Sequence, residues 1–103
     1  MFVEQKSDLT MNIFTRTITD KNGNHLYLTS KEFDLFYFLY SYRGQVFTKE
    51  QLYENVWGYD YAPDAKNLIS FIRKLRKKID PDPDKPQYII TVWGVGYKFA
   101  KDI

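Results

Sequence analysis

Between Lys66 and Ile79 the chain carries six basic residues, Lys66, Arg73, Lys74, Arg76, Lys77 and Lys78, and no acidic one. Ammonium and guanidinium groups gathered in this way pair with anionic oxygens, and both types also donate to base edges. Their spacing decides how they are presented. Leu68, Ile72, Leu75 and Ile79 recur at i, i+4, i+7 and i+11, the apolar stripe of an α-helix over 64–79. With about 100° of rotation per residue, Asn67, Ser70, Phe71, Lys74 and Lys78 form a second stripe, polar and cationic, about a third of a turn away. A helix of this length runs for about 24 Å, enough to lie in a major groove about 12 Å wide. A solvated helix with ordinary surface lysines competes with this reading when the stretch is taken alone. The charge balance argues against it. The chain as a whole is +2, yet outside the stretch from Lys66 to Ile79 the other nine basic and thirteen acidic residues leave −4. Positive charge confined to one element of a mildly acidic protein is the footprint of a polyanion binder.

What holds that helix in place has to be built from 103 residues, 44% of them hydrophobic, which bounds the chain to one domain, 1–103, with one core. The 18% aromatic share, with nine Tyr and eight Phe, means that large side chains fill much of it. There is no cysteine, hence neither a disulfide framework nor a thiolate metal site. No apolar run approaches the roughly 20 residues of a membrane helix, and Met1-Phe2-Val3-Glu4 does not begin a signal peptide. A cytoplasmic protein without membrane contact is expected. His25, the single histidine, lies beside a turn and is assigned no role. With no carboxylate pair in a glycine-framed pocket and no metal-ligand spacing, neither catalysis, a metal nor a cofactor is expected.

Taken in order, Phe2-Val3-Glu4, Leu9-Thr10-Met11 and Phe14 to Thr19 read as short strands. Lys21-Asn22-Gly23-Asn24 is a hairpin turn, and His25 to Leu28 closes an antiparallel meander with Leu26 and Leu28 on one face. Thr29-Ser30-Lys31-Glu32 is a capping box opening a helix with Phe33, Phe36, Leu39 and Tyr40 at helical spacing and Gly44 at its exit. After the apolar pair Val46-Phe47, Thr48-Lys49-Glu50-Gln51 repeats the capping pattern, opening a second helix through about Trp57 with Leu52 and Val56 inward. Gly58 to Pro63 is a loop whose tyrosines, Tyr59 and Tyr61, either pack on the domain or form a contact surface; packing is the expectation. Asp64 is placed to cap the basic helix and Asp80-Pro81 to stop it. The stretch from Asp80 to Pro86 is a stiff, acidic connector. Tyr88 to Val92 and Tyr97 to Phe99 then form a hairpin around Trp93-Gly94-Val95-Gly96. Two short helices, a loop, a basic helix and a terminal hairpin describe an α+β winged helix-turn-helix: an N-terminal antiparallel sheet, three helices and a C-terminal β-hairpin wing.

Four stretches carry a family resemblance. They are Leu28 to Phe33, Leu52 with Val56-Trp57-Gly58, Ile72 to Ile79, and Thr91 to Phe99. In this order and at these intervals the chain, over nearly its whole length, resembles the DNA-binding effector domain of OmpR/PhoB-type response regulators. The resemblance implies sequence-specific binding of double-stranded DNA for transcriptional regulation, with the third helix in the major groove and the wing, 88–100, near the minor groove. It implies that Asn67, Ser70, Phe71 and Lys74 face bases or the groove wall, with Lys74 as base reader. Lys49, Trp57, Arg73, Arg76, Lys77, Lys78, Thr91, Tyr97 and Lys98 would meet the DNA backbone, and Trp93, Gly94, Val95 and Gly96 would form the wing. Gly58, Tyr59, Asp60, Tyr61, Ala62 and Pro63 match the loop through which such regulators engage RNA polymerase. Head-to-tail dimers on direct repeats are implied for the full regulator. Two residues depart from the family pattern. Trp93 stands where an arginine commonly enters the minor groove, so the wing stacks, inserts as a wedge or merely packs. Phe71 replaces a polar or histidine residue and either meets a thymine methyl or turns inward. The phosphorylated receiver domain of such regulators has no counterpart in these residues; either the domain has been separated from it or the protein lacks that switch. Because winged helices also serve as docking modules without DNA, a protein-interaction module is the alternative reading.

Overall fold

The computed structural model describes residues 9–58, 65–80 and 82–100. The expected first strand, Phe2-Val3-Glu4, lies outside them, as do Tyr59 to Asp64 with the expected loop and N-cap, and Pro81. Three short strands open the fold: β1 (Thr10–Asn12), β2 (Thr17–Thr19) and β3 (His25–Leu26), an antiparallel meander in chain order. Ile18 stands opposite both Met11 and Leu26 and is fully buried, so one face of the meander closes on the core. The second strand is shorter than the run 14–19 suggests, for a local reason. Asn12 Oδ1 accepts from the N–H groups of Phe14 and Thr15, and Arg16 takes a left-handed φ of 56°. That turn competes with the ladder, and it leaves Phe14 92% exposed.

Helix α1 (Ser30–Ser41) begins as its sequence requires. Thr29 Oγ1 accepts from the Glu32 N–H while Glu32 Oε1 accepts from the Thr29 N–H, so both halves of the capping box are made. Phe33, Leu35, Phe36 and Leu39 are buried. Strand β4 (Phe47–Thr48) leads into α2 (Lys49–Leu52), which repeats the device with Thr48 and Gln51. The sequence suggests one helix to Trp57; instead α2 passes into a π turn over Tyr53–Trp57. Gly58 N–H donates to Tyr53 O, five residues back, and the widened turn buries both Tyr53 and Val56. From α1, Lys31 Nζ donates to the Val56 carbonyl at that end.

Helix α3 (Ala65–Ile79) sets Leu68, Ile72, Leu75 and Ile79 into the core. At its end Asp80 Oδ1 accepts from the Gln87 N–H and anchors the connector. Strands β5 (Ile89–Val92) and β6 (Gly96–Phe99) form the terminal hairpin, and β4 adds to it in the order β4-β6-β5. Gly96 sits where β6 crosses β4: a Cβ there would lie 1.9 Å from the Phe47 carbonyl oxygen. Only glycine fits. The result is the α+β winged-helix arrangement: a three-stranded meander, three helices, and a terminal hairpin that β4 extends to a second three-stranded sheet.

One ion pair ties the first helix to the third. Lys78 Nζ lies 2.6 Å from Glu32 Oε1, the oxygen that also caps α1. Burial raises the Glu32 pKa, but the Lys78 ammonium and the Thr29 N–H outweigh it and hold the carboxyl below the ordinary glutamate value. The folded protein therefore binds this proton more weakly than the unfolded chain. The pair contributes fully at neutral pH, and its contribution is lost as pH falls through the depressed value. Glu32→Gln keeps the capping acceptor but not the charge. It is expected to cost about 1–2 kcal/mol at pH 7. In urea unfolding, the gap to the parent protein should narrow as pH is lowered towards 3; a constant gap would show that the charge contributes nothing.

Candidate nucleic-acid interface

The outer face of α3 follows from its rotation. With about 100° per residue, Ser70 and Lys77 point almost opposite the apolar stripe, and Arg73 and Lys74 lie about 130° from it on either side. All four are exposed, as is Asn67. Among the described residues no ion pair engages Arg73, Lys74 or Lys77, so this row is cationic and uncovered.

Two depressions flank the row. On one side Asn67, Ser70, Phe71 and Lys74 share a shallow recess of about 320 Å³ with Lys31, Tyr53 and Trp57. Phe71 turns towards the protein there, its ring edge-on to Trp57 at 5.1 Å, and Trp57 packs on Tyr53 at 5.2 Å. On the other side a larger groove, about 760 Å³, separates α3 from the hairpin. Lys49, Arg73 and Lys77 line it, facing Thr91 to Tyr97, with Glu50 and Asp84 also on its walls.

Three residues expected at the DNA backbone have partners within the protein. Arg76 donates twice to the Ile89 carbonyl, at 3.1 Å from Nε and 2.7 Å from Nη2, and again from Nη2 to Thr91 Oγ1 at 2.8 Å. Its guanidinium is partly desolvated, which lowers its pKa. Tyr97 is buried beneath it, with the phenol pKa pushed up by burial. Lys78 is held by Glu32. The reason is again rotational: Arg76 and Lys78 lie about 70° and 90° from the centre of the apolar stripe, at the flanks where α3 meets the hairpin and α1. Phe71 occupies a similar flank. Thr91 and Lys98 are half-buried on the hairpin, Thr91 as a partner of Arg76. Gly94, with φ 81°, shapes the exposed wing tip between Trp93 and Val95. Of the loop Gly58 to Pro63 only Gly58 is described, with φ 104°.

Two contributors were not singled out by sequence reasoning. Ile69, exposed on the outer face, lines the groove; the signal was an isoleucine off the apolar stripe. Lys31 borders the recess beside Lys74, and nothing local distinguishes it from any lysine in a first turn.

Residues 23–99 match the family model described as "Transcriptional regulatory protein, C terminal". The DNA-binding domain of Bacillus subtilis CssR is 31% identical, aligning over 88% of this chain and 98% of that one with a TM-score of 0.78. The Thermotoga maritima response regulator DrrB, an OmpR/PhoB homolog, is 34% identical over 94% of this chain with a TM-score of 0.83. The match covers only 43% of DrrB's length. The Klebsiella pneumoniae RstA DNA-binding domain, solved in complex with the RstA box, is 28% identical, with coverage of 95% and 96% and a TM-score of 0.82.

The different fates of neighbouring cations generate a stability prediction. Arg76→Ala removes charge-assisted bonds that join helix to hairpin and is expected to cost about 2–3 kcal/mol. Lys77→Ala, one residue along but exposed, should stay within about 0.5 kcal/mol of the parent. Chemical denaturation of both variants checks this; equal losses would mean that the Arg76 bracket does not support the fold.

Proposed function

The chain belongs to the family of transcriptional regulatory protein C-terminal domains, and from that premise we propose that it binds specific double-stranded DNA sites to regulate transcription, as the output domain of an OmpR/PhoB-type response regulator. The observation that carries this reading is the uncovered row of Ser70, Arg73, Lys74 and Lys77 on a helix whose opposite face is locked into the core. Helix α3 enters the major groove. Lys74, with Ser70 and Asn67, faces base edges, while Phe71, turned towards Trp57, contributes at most its edge to the groove wall. Arg73, Lys77 and Lys49 meet the phosphates that pass through the groove between helix and wing. Arg76, Thr91, Tyr97 and Lys78 serve DNA indirectly, by fixing the helix against the hairpin and against α1.

The family supports further readings. The residues Gly58 to Pro63 engage RNA polymerase, and the full regulator binds direct repeats as a head-to-tail dimer. A receiver domain elsewhere in such a regulator supplies the phosphorylation switch. The protein works in the cytoplasm without catalysis. Within the described residues no helix is long and apolar enough to cross a membrane.

Sites selected from a random duplex library separate base reading from charge. Lys74→Ala is expected to weaken the selected duplex by about 1–3 kcal/mol and to relax base preference. Lys77→Ala should weaken selected and random duplexes alike and make the salt dependence shallower by about one phosphate contact. Equal losses on both duplexes for Lys74→Ala would defeat the base-reading role. Passage of the parent protein through DNA-cellulose unretained near physiological salt would defeat DNA binding itself, leaving a docking module.

A further inference from the structure

The wing tip differs from the rest of the proposed interface. Trp93 is 89% exposed and Val95 50%, both in a tight turn closed by the Val95 N–H on the Val92 carbonyl. An indole this exposed in the free protein gains nothing for folding. The tip, Trp93 to Gly96, has no cation. Lys98, the nearest along β6, is half-buried.

Position assigns the partner. Arg73, Lys77 and Lys49 line the same groove as Trp93 and Val95, with α3 on one wall and the hairpin on the other. A phosphate strand seated against those three cations puts α3 in the major groove on one side. The hairpin tip then stands on the other side, where the minor groove opens. Without a cation the tip cannot exploit the negative potential of a narrow minor groove. Apolar surface can enter only by lying on the sugar walls or by parting a base step.

We propose that Trp93, backed by Val95, enters the minor groove beside the recognition helix as an apolar wedge that opens a base step, bends the site and adds a preference for flexible steps. This rests on the DNA-binding reading above. The occupant is DNA because Trp93 shares its groove with Lys49, Arg73 and Lys77, three cations that no ion pair among the described residues engages. A second copy of the chain, whose meander exposes Phe14 and Tyr27, is the competing partner that the test resolves.

Duplexes selected by the parent protein are probed with the parent, W93A, W93F and W93R. The parent is expected to bend its duplex by about 20° or more in a permuted-site mobility assay and to enrich TA or CA/TG steps at the wing position. W93A should lose about tenfold in affinity together with the bend and the step preference, W93F should keep most of all three, and W93R should exchange the step preference for a narrow A·T tract. Parent-like affinity, bend and step preference in W93A overturn the wedge while leaving DNA binding intact. A W93A defect confined to paired sites, with single half-sites bound as by the parent, assigns the indole to a protein contact and also overturns it. Failure of the parent to enrich any duplex sinks the DNA reading along with the wedge.

Discussion

Everything presented by this domain depends on the rotational setting of α3 against its core. Leu68, Ile72, Leu75 and Ile79 bury almost completely, and each is worth roughly 1.5–3 kcal/mol of transfer free energy. Rolling the helix by one residue, about 100°, would expose part of that stripe and drive Lys74 or Arg73 towards the interior. The cost far exceeds anything a surface cation could gain. The apolar stripe therefore chooses which side chains face outwards, and the flank positions are recruited to hold the choice. Arg76 on one flank and Lys78 on the other bond to different elements, the hairpin and α1. The helix is pinned about its axis as well as buried.

This division of labour also explains why the wing sits where it does. A hairpin of two four-residue strands would be marginal alone. Here β6 gains β4 as a second neighbour, at a spacing that only Gly96 permits, while β5 is held to α3 through the Ile89 carbonyl and Thr91. Arg76 thus joins helix and wing directly, on the border of the groove between them.

Most of the architecture was legible because the signals that specify it are local. A capping box needs two residues three apart, and both boxes, Thr29–Glu32 and Thr48–Gln51, are made as their spacing implies. The stripe of α3 is likewise a pattern along one element. What the sequence did not disclose depends on partners distant in the chain or on competing local bonds. The Asn12 side chain captures the amides of Phe14 and Thr15 and truncates the second strand. The π turn after α2 answers to the burial of Tyr53 and Val56, which no period reveals. The candidate site shows the same limit. Six cations can be counted, but their number does not say which are already paired. Glu32 is 46 residues from Lys78, and the carbonyl that takes Arg76 is 13 residues away.

The consequence for recognition is a narrower reading surface than charge alone implies. With Phe71 folded onto Trp57, and Arg76 and Lys78 engaged by the hairpin and by α1, the proposed reading leaves few side chains for bases: Lys74 with the short Ser70 and Asn67 beside it. A flexible ammonium has no planar fork with which to specify a base as an arginine does. On the proposed reading, discrimination by this helix alone is modest. Deformability of the duplex is the remaining source, and it is read wherever the protein forces a shape on DNA rather than touching base edges. Among the described residues, the most exposed large hydrophobic side chain lining the groove between helix and hairpin is the indole at the wing tip, with Val95 and Ile69 beside it. A weakly specifying helix and an apolar wing complement each other: the first sets register, and the second makes the energy of binding depend on how readily the neighbouring step yields.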